Sequence, residues 1–465
     1  MNRQIFAWDR SSQLLQQRDR WFERLWILSL LIAALLLFGL NLGGVPLSHG
    51  QESILAQVAR DIAQGATGLE SWLFPTLDEA PYFGSAPLLP NLIAVVYLHG
   101  EGAWAARLPG ALLAALSVPL LYGLGRELFP WRLPARFAAL LYLTFLPVAR
   151  QGRLAGPGGA ILCLMVLALW CTLRARRDWR WILGLGISLG LLSLTHGGAA
   201  LLVSAIALAF LVWDTPRLLA VPLLWLGLGL GAAPAIAWHG AQWWRYGDLF
   251  TRAVLTAPLL AALQPTPGGP LPLLPLVSEL AGLLPSLIFC LTGLTLLRSE
   301  QPWGWVKLSG VWLLGGTVAI AASLLHLYPN LLLVLYPALA LTGGAHLAAL
   351  WQQPRTEPYP LSWIWATLGL SLAATGGCLA LIHWEPHPAP MLVLAAVALT
   401  LGVTGMLLAR QDPQFVIVLF WGLYVSLLLL ISSPYWLWHD GGIRLEAPTA
   451  TAGGNGSTAL RTHLQ

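Results

Sequence analysis

The apolar and polar positions of this chain sort into long apolar runs divided by short polar connections. Runs long enough to cross a bilayer as helices of roughly 20 residues start near Trp26, Gly110, Pro134, Gly158, Trp181, Gly197, Leu218, Glu279, Trp303, Pro329, Leu361, Pro390 and Phe415. The pattern predicts an all-α polytopic membrane protein with about 13 transmembrane helices. One stretch breaks it. Residues 49–65, HGQESILAQVARDIAQG, follow closely on the first apolar run yet have helical rather than continuous hydrophobicity. Ile54, Leu55, Val58 and Ile62 form one stripe, Glu52 lies in the first turn where the helix dipole favours an acid, and Gly65 can stop the helix. An amphipathic helix lying along the outer membrane surface is expected. Residues 87–100, PLLPNLIAVVYLHG, are short for a span and broken by Pro90, and read as an interfacial or re-entrant piece.

Composition narrows the class further. Of 465 residues, 57% are hydrophobic and 10% charged, and 24 are Trp, which no soluble domain of this length shows. Cys163, Cys171, Cys290 and Cys378 lie inside apolar runs without ligand spacing, so neither a disulfide framework nor a metal site is implied. The basic pI near 9.2 comes mostly from Arg in short connections, an orientation signal rather than a sign of nucleic-acid binding. No GxxxxGK[ST] occurs, which argues against a nucleotide-driven motor.

Arginine distribution orients the chain. Arg3, Arg10, Arg18, Arg20 and Arg24 place the N-terminus in the cytoplasm, as does the cluster RARRDWRW at residues 174–181 for its own connection. Counting outward, two long loops lie outside: residues 43–109 and 239–280. The expected organisation is a cytoplasmic tail over residues 1–25, a transmembrane domain over 26–350, further transmembrane helices over 351–435 and an outer, disordered Gly/Ser/Thr-rich tail over 436–465.

Three segments carry a resemblance: QESILAQVARDIAQG from Gln51, SWLFPTLDEAPYFGSAPLL from Ser71, and WAARLPGALLAALSVPLLYGLGRELF from Trp104. Together they resemble the N-terminal third of the class C membrane glycosyltransferases, in the branch of lipid A aminoarabinose transferases and protein O-mannosyltransferases. In that family the text runs roughly as DE-x-x-YA-x-x-ARE, then PY-x-EKPPL, then AARLPSAL…LGRRLF. GRLAGPGGA from Gly152, LSLTHGGAALL from Leu192 and LYPNLLLVLYPALALTGG from Leu327 extend the likeness to about residues 25–350. The resemblance implies transfer of a sugar from a polyprenyl-phosphate donor to a lipid, glycan or protein acceptor on the outer face of the cytoplasmic membrane. Membrane lipids are the remaining partners; no cofactor and no metal are expected.

Departures from the family text are concentrated in the chemistry. Gln51-Glu52 stands where the family has Asp-Glu, Gly84-Ser85-Ala86 where it has Glu-Lys-Pro, Gly158 at a late Asp and His196 at a Lys. Gln is no general base, so the candidate carboxylates become Glu52, Asp78 and Glu79. Arg150, Arg153, Arg245, Tyr246, His196, His326 and Tyr328 are candidate donor and phosphate ligands, and Arg60, Asp61, Tyr82 and Arg107 candidates for a structural cradle. Each has a plainer role open to it: a dipole-complementing first-turn acid for Glu52, a solvated turn for Asp78-Glu79, interface anchors for the arginines, His and Tyr. Two further readings also stay open. The lost carboxylates suit a catalytically impaired homologue that binds polyprenyl-phosphate lipid, and the fold class suits a lipid or sugar transporter, although no inverted repeat is visible.

Overall fold

The computed structural model describes residues 2–48, 50–65, 68–256, 273–299, 304–324, 329–353, 358–384 and 388–437. His326, Tyr328 and the tail beyond residue 437 lie outside the described residues. The chain opens with α1 (Asn2–Gly39), followed by α2 (Gln51–Gln64), α3 (Leu69–Leu73), a hairpin of β1 (Thr76–Leu77) and β2 (Ala80–Pro81), and α4 (Leu88–Tyr97). There follow α5 (Ala103–Leu128), α6 (Arg132–Leu143), α7 (Leu146–Arg153), α8 (Gly158–Arg174), α9 (Trp181–Ser193), α10 (Gly197–Asp214) and α11 (Pro222–Tyr246). The C-terminal part comprises α12 (Asp248–Thr251), α13 (Leu273–Ala281), α14 (Ser286–Gly293), α15 (Gly304–Leu324), α16 (Leu335–Gln352), α17 (Leu361–Trp384), α18 (Pro388–Ala409) and α19 (Phe415–Ser432).

Each predicted apolar run coincides with helix, and the protein is an all-α, multi-span membrane protein. By length and composition, eight helices among the described residues can cross a membrane, or nine when α6 and α7 are taken as one span bent by 60°. Three further apolar helices, α4, α8 and α9, are shorter than these. At about 1.5 Å per residue a 13-residue helix such as α9 covers about 20 Å, short of a hydrocarbon core of about 30 Å. The α6–α7 bend falls at Thr144 and Phe145, where the Thr144 hydroxyl donates back to the Leu140 and Leu141 carbonyls and Pro147 prevents the helix from continuing.

Two features depart from the sequence reading. The α2 stripe is buried by protein: Leu55, Val58 and Ile62 pack against Leu89, Ile93 and Tyr97 of α4, with Ala105 and Ala106 of α5 closing the cluster. Only Ile54 of that stripe faces outward. An apolar helix face is satisfied equally well by a second helix as by lipid, and α4 supplies the second helix. The stretch 239–280, expected as an outer loop, is also largely helical where described, because α11 continues to Tyr246.

The GLGLG run of α11 packs on GLGISLG of α9. A Cβ built on Gly186 would lie 1.9 Å from the Gly227 carbonyl oxygen, and one on Gly190 1.8 Å from that of Gly231. Backbones this close admit only glycine. Gly190→Ala is expected to destabilise the protein by about 1–3 kcal/mol, read as a lower melting temperature in detergent, whereas Gly240→Ala, with nothing near its Cβ, leaves it unchanged.

Candidate active site

The end of the bundle that carries α2 is assembled around two buried arginines. Arg107, near the start of α5 and 0% exposed, donates from Nε to Glu52 Oε1 at 3.0 Å and from Nη2 to Glu52 Oε2 at 2.9 Å. Its remaining N–H groups reach the carbonyls of Leu42, Val45 and Pro46 at 2.7–3.0 Å. Glu52 also accepts from the backbone N–H groups of Ser48 and Ala155 at 2.9 and 2.7 Å. This one carboxylate therefore ties α2, α5, the end of α1 and the segment after α7 together.

Burial pushes the Glu52 pKa up, but the hydrogen bonds and charge of Arg107, aided by the two N–H groups, more than offset it and hold it below the ordinary carboxylate value. Such a group contributes stability above its unfolded pKa of about 4.3 and loses it as pH falls through the lower folded value. A melting-temperature series from pH 6 downward should accordingly fall below about pH 4 in the parent, and more shallowly in Glu52→Gln.

Arg153, the last residue of α7, is equally buried. Its Nη1 donates to the Leu37 and Phe38 carbonyls at 2.9 and 3.1 Å, capping the C-terminal turn of α1. The Arg107 and Arg153 guanidinium groups lie 5.0 and 4.8 Å from the ring centroid of Trp436, which brings the residues after α19 onto the same end.

The approachable acids sit on the segment between α1 and α5. Asp78 and Glu79 are the two central residues of the β1–β2 hairpin, both at positive φ of 51° and 66°, and both exposed. The turn aims Asp78 back at α2, where its Oδ1 accepts from Gln57 Nε2, and the Asp78 N–H bonds to the Asp61 carboxylate. Two carboxylates thus lie side by side. Burial raises the Asp61 pKa, and the charge of Asp78 raises it further against the opposing pull of the Asp78 N–H and Arg60. Arg60 itself pairs with Glu101 at 2.8 Å on the surface. Glu79 has the less common conformation of the turn pair for its residue type, and Glu79→Gly is expected to raise the melting temperature slightly, as relief of about 1 kcal/mol of strain.

The residues flanking the hairpin meet the C-terminal end of α11 and the start of α12 through aromatic rings. Tyr246 meets Phe74 and Phe83 edge-on with centroids 6.0 and 5.3 Å apart, and Phe250 meets Phe83 at 5.5 Å. Trp238 Nε1 and Gln242 Nε2 both donate to the Leu73 carbonyl, at 3.0 and 2.7 Å, which anchors α3 to α11. Arg245 lies over Phe74 and pairs with Glu70, with the Arg245 side chain 43% exposed. Tyr82 is half-buried, and burial raises its pKa.

The other nominated residues lie apart from this cluster. Arg150 pairs with Glu279 of α13 at 3.6 Å, and Tyr336 of α16 donates to the same carboxylate at 3.1 Å. His196 caps α10, its Nδ1 accepting from the Ala199 N–H at 3.1 Å. Among the described residues no group of His, Cys, Asp and Glu is arranged to hold a metal ion. Sequence reasoning missed the Asp61–Asp78 juxtaposition, the roles of Gln57 and Glu70, and Trp436. The only prior signal was that Gln57 and Asp61 are four residues apart, on one helix face.

Residues 85–239 match the family model of dolichyl-phosphate-mannose-protein mannosyltransferases. The chain is 30% identical over 243 residues to undecaprenyl phosphate-alpha-4-amino-4-deoxy-L-arabinose arabinosyl transferase 2 of Pseudomonas fluorescens, covering 48% of this chain and 40% of that protein. It is 33% identical over 229 residues to the corresponding transferase of Pseudomonas aeruginosa, covering 45% and 38%. The chain thus spans less than half the length of the curated relatives it matches. ArnT from Cupriavidus metallidurans, in its crystal structure bound to undecaprenyl phosphate, superposes with a TM-score of 0.70 at 19% identity, over 88% of this chain and 77% of that one. The chain has the fold of a class C membrane glycosyltransferase. In this transferase fold the matched family region runs from just before α4 through most of α11, so it includes Arg107 and Arg153 but neither Glu52 nor the hairpin.

Proposed function

We propose that this protein transfers a sugar from a polyprenyl-phosphate donor to an acceptor hydroxyl or amine at the outer face of the membrane. Support comes from the relatives, which are named as undecaprenyl-phosphate sugar transferases, and from the neighbour whose structure holds undecaprenyl phosphate. The observation that carries the reading is the Asp61–Asp78 carboxylate pair at an exposed hairpin, in a segment whose Glu70 and Phe74 hold the partly exposed Arg245.

In this reading Asp78 is the general base. It accepts the acceptor proton as the acceptor atom attacks the anomeric carbon, and the bond from that carbon to the phosphate oxygen breaks, releasing polyprenyl phosphate. Asp61, poised toward protonation, shares the proton with Asp78. Arg245 offsets the charge on the departing phosphate. Its pair with Glu70 is a surface pair worth about 0–1 kcal/mol, so exchange for a phosphate costs little. Glu52, Arg107 and Arg153 hold the outer end in shape, because a base must present an accessible lone pair and Glu52 accepts four hydrogen bonds while 3% exposed.

Incubating the purified chain with a panel of polyprenyl-phosphate sugars tests the reading through release of free polyprenyl phosphate. Release is expected with at least one donor. Binding of polyprenyl phosphate with no release from any donor would favour the catalytically impaired homologue, which the Gln51 replacement suits. The facing of the site is tested separately: a Cys at Asp78 should react with an impermeant maleimide from outside intact cells, and one at Arg177 only after the membrane is opened.

A further inference from the structure

At the opposite end of the bundle from the carboxylates, α1, α6 and α19 leave an apolar groove open to the bilayer. Its cavity of about 360 Å³ is lined by Trp26, Leu140, Phe420, Trp421 and Tyr424, together with Arg136. The charges there do not balance. Glu23 pairs with Arg126 at 2.7 Å and Arg132 at 3.0 Å, while among the described residues Arg136 has no carboxylate partner. Its guanidinium lies over the Trp26 ring, 5.1 Å from the centroid. Arg136 Nε and Trp26 Nε1 are both buried donors without an acceptor. A cation and two unsatisfied N–H donors at the interface end of a hydrocarbon-lined groove are complementary to one ligand class.

We propose that this groove binds an anionic glycerophospholipid, its phosphate on Arg136 and Trp26 Nε1 and one acyl chain along Leu140, Phe420 and Tyr424. From Arg136 to Leu143 the groove follows α6 for about 10 Å, within one leaflet's share, about 15 Å, of the hydrocarbon core. That depth suits an acyl chain and is too short to follow a polyprenyl tail. The site is independent of the sugar-transfer reading, since it involves none of those residues.

Its test uses the purified chain in nanodiscs doped with phosphatidylglycerol or phosphatidylcholine carrying the same photoreactive acyl chain, with cross-links mapped by mass spectrometry. Phosphatidylglycerol should label peptides containing Leu140 or Phe420, and Arg136→Gln should reduce that labelling about fivefold with phosphatidylcholine labelling unchanged. Arg136→Lys should retain most of it, and Arg410→Gln, an exposed arginine elsewhere, all of it. If Arg136→Gln lowers the melting temperature, Ile417→Trp, which fills the groove and leaves the charge, decides: phosphatidylglycerol labelling should be lost. Equal labelling by the two lipids, full labelling in Arg136→Gln or in Ile417→Trp, or displacement by undecaprenyl phosphate at equal concentration would each overturn the assignment.

Discussion

Arg107→Met is expected to destabilise the protein by about 3–5 kcal/mol, among the largest single-residue effects on stability in the chain. The substitution leaves Glu52 buried with its two backbone donors but without its counter-ion, and strands the carbonyls of Leu42, Val45 and Pro46. Glu52→Gln should act in the same direction, since it leaves the guanidinium as the uncompensated charge. The double variant Glu52→Gln, Arg107→Met should be less destabilised than the sum of the two single changes, because neither buried charge then remains. Melting temperatures and resistance to denaturant in detergent measure all three. Additive losses would show that the pair does not couple, and the packing of α2 on α5 would then need another explanation. An activity loss in Glu52→Gln that merely tracks the folded fraction separates this structural role from catalysis.

Asp78→Asn should do the reverse. Turnover is expected to fall about 10²–10⁴-fold with the melting temperature unchanged, because the amide keeps the shape of the hairpin turn and its contact with Gln57 but accepts no proton. Asp61→Asn should shift the acid limb of the rate profile rather than abolish turnover, since it removes the neighbour whose protonation Asp78 promotes. Glu79→Gln, on the other turn position, should leave turnover intact.

Much of the architecture was legible in the chain. Continuous apolar runs have one structural solution in a bilayer, a helix that satisfies its own backbone hydrogen bonds. The capped, amphipathic α2 was equally clear, but its partner was not, because a stripe of Leu55, Val58 and Ile62 says only that something apolar covers it. What periodicity cannot supply is a pairing between residues far apart in the chain. Glu52 and Arg107 are 55 residues apart and Arg153 lies 116 from the carbonyl it caps, so Arg107 reads only as part of a structural cradle with no named partner, and Arg153 as a phosphate ligand, until the helices are placed. The Asp61–Asp78 pair was hidden for a related reason. Only a two-residue turn with both φ angles positive folds the hairpin back over α2, and Asp-Glu is not a sequence that advertises such a turn.

The central claim is that a carboxylate pair absent from the family's aligned position performs the transfer. It is tested most directly by turnover of the parent and Asp78→Asn, side by side, on whichever lipid-linked sugar the parent accepts, each normalised to its folded fraction. The account predicts release of polyprenyl phosphate by the parent and a loss of at least about 10²-fold in Asp78→Asn at unchanged melting temperature. Equal turnover in the two proteins would contradict it.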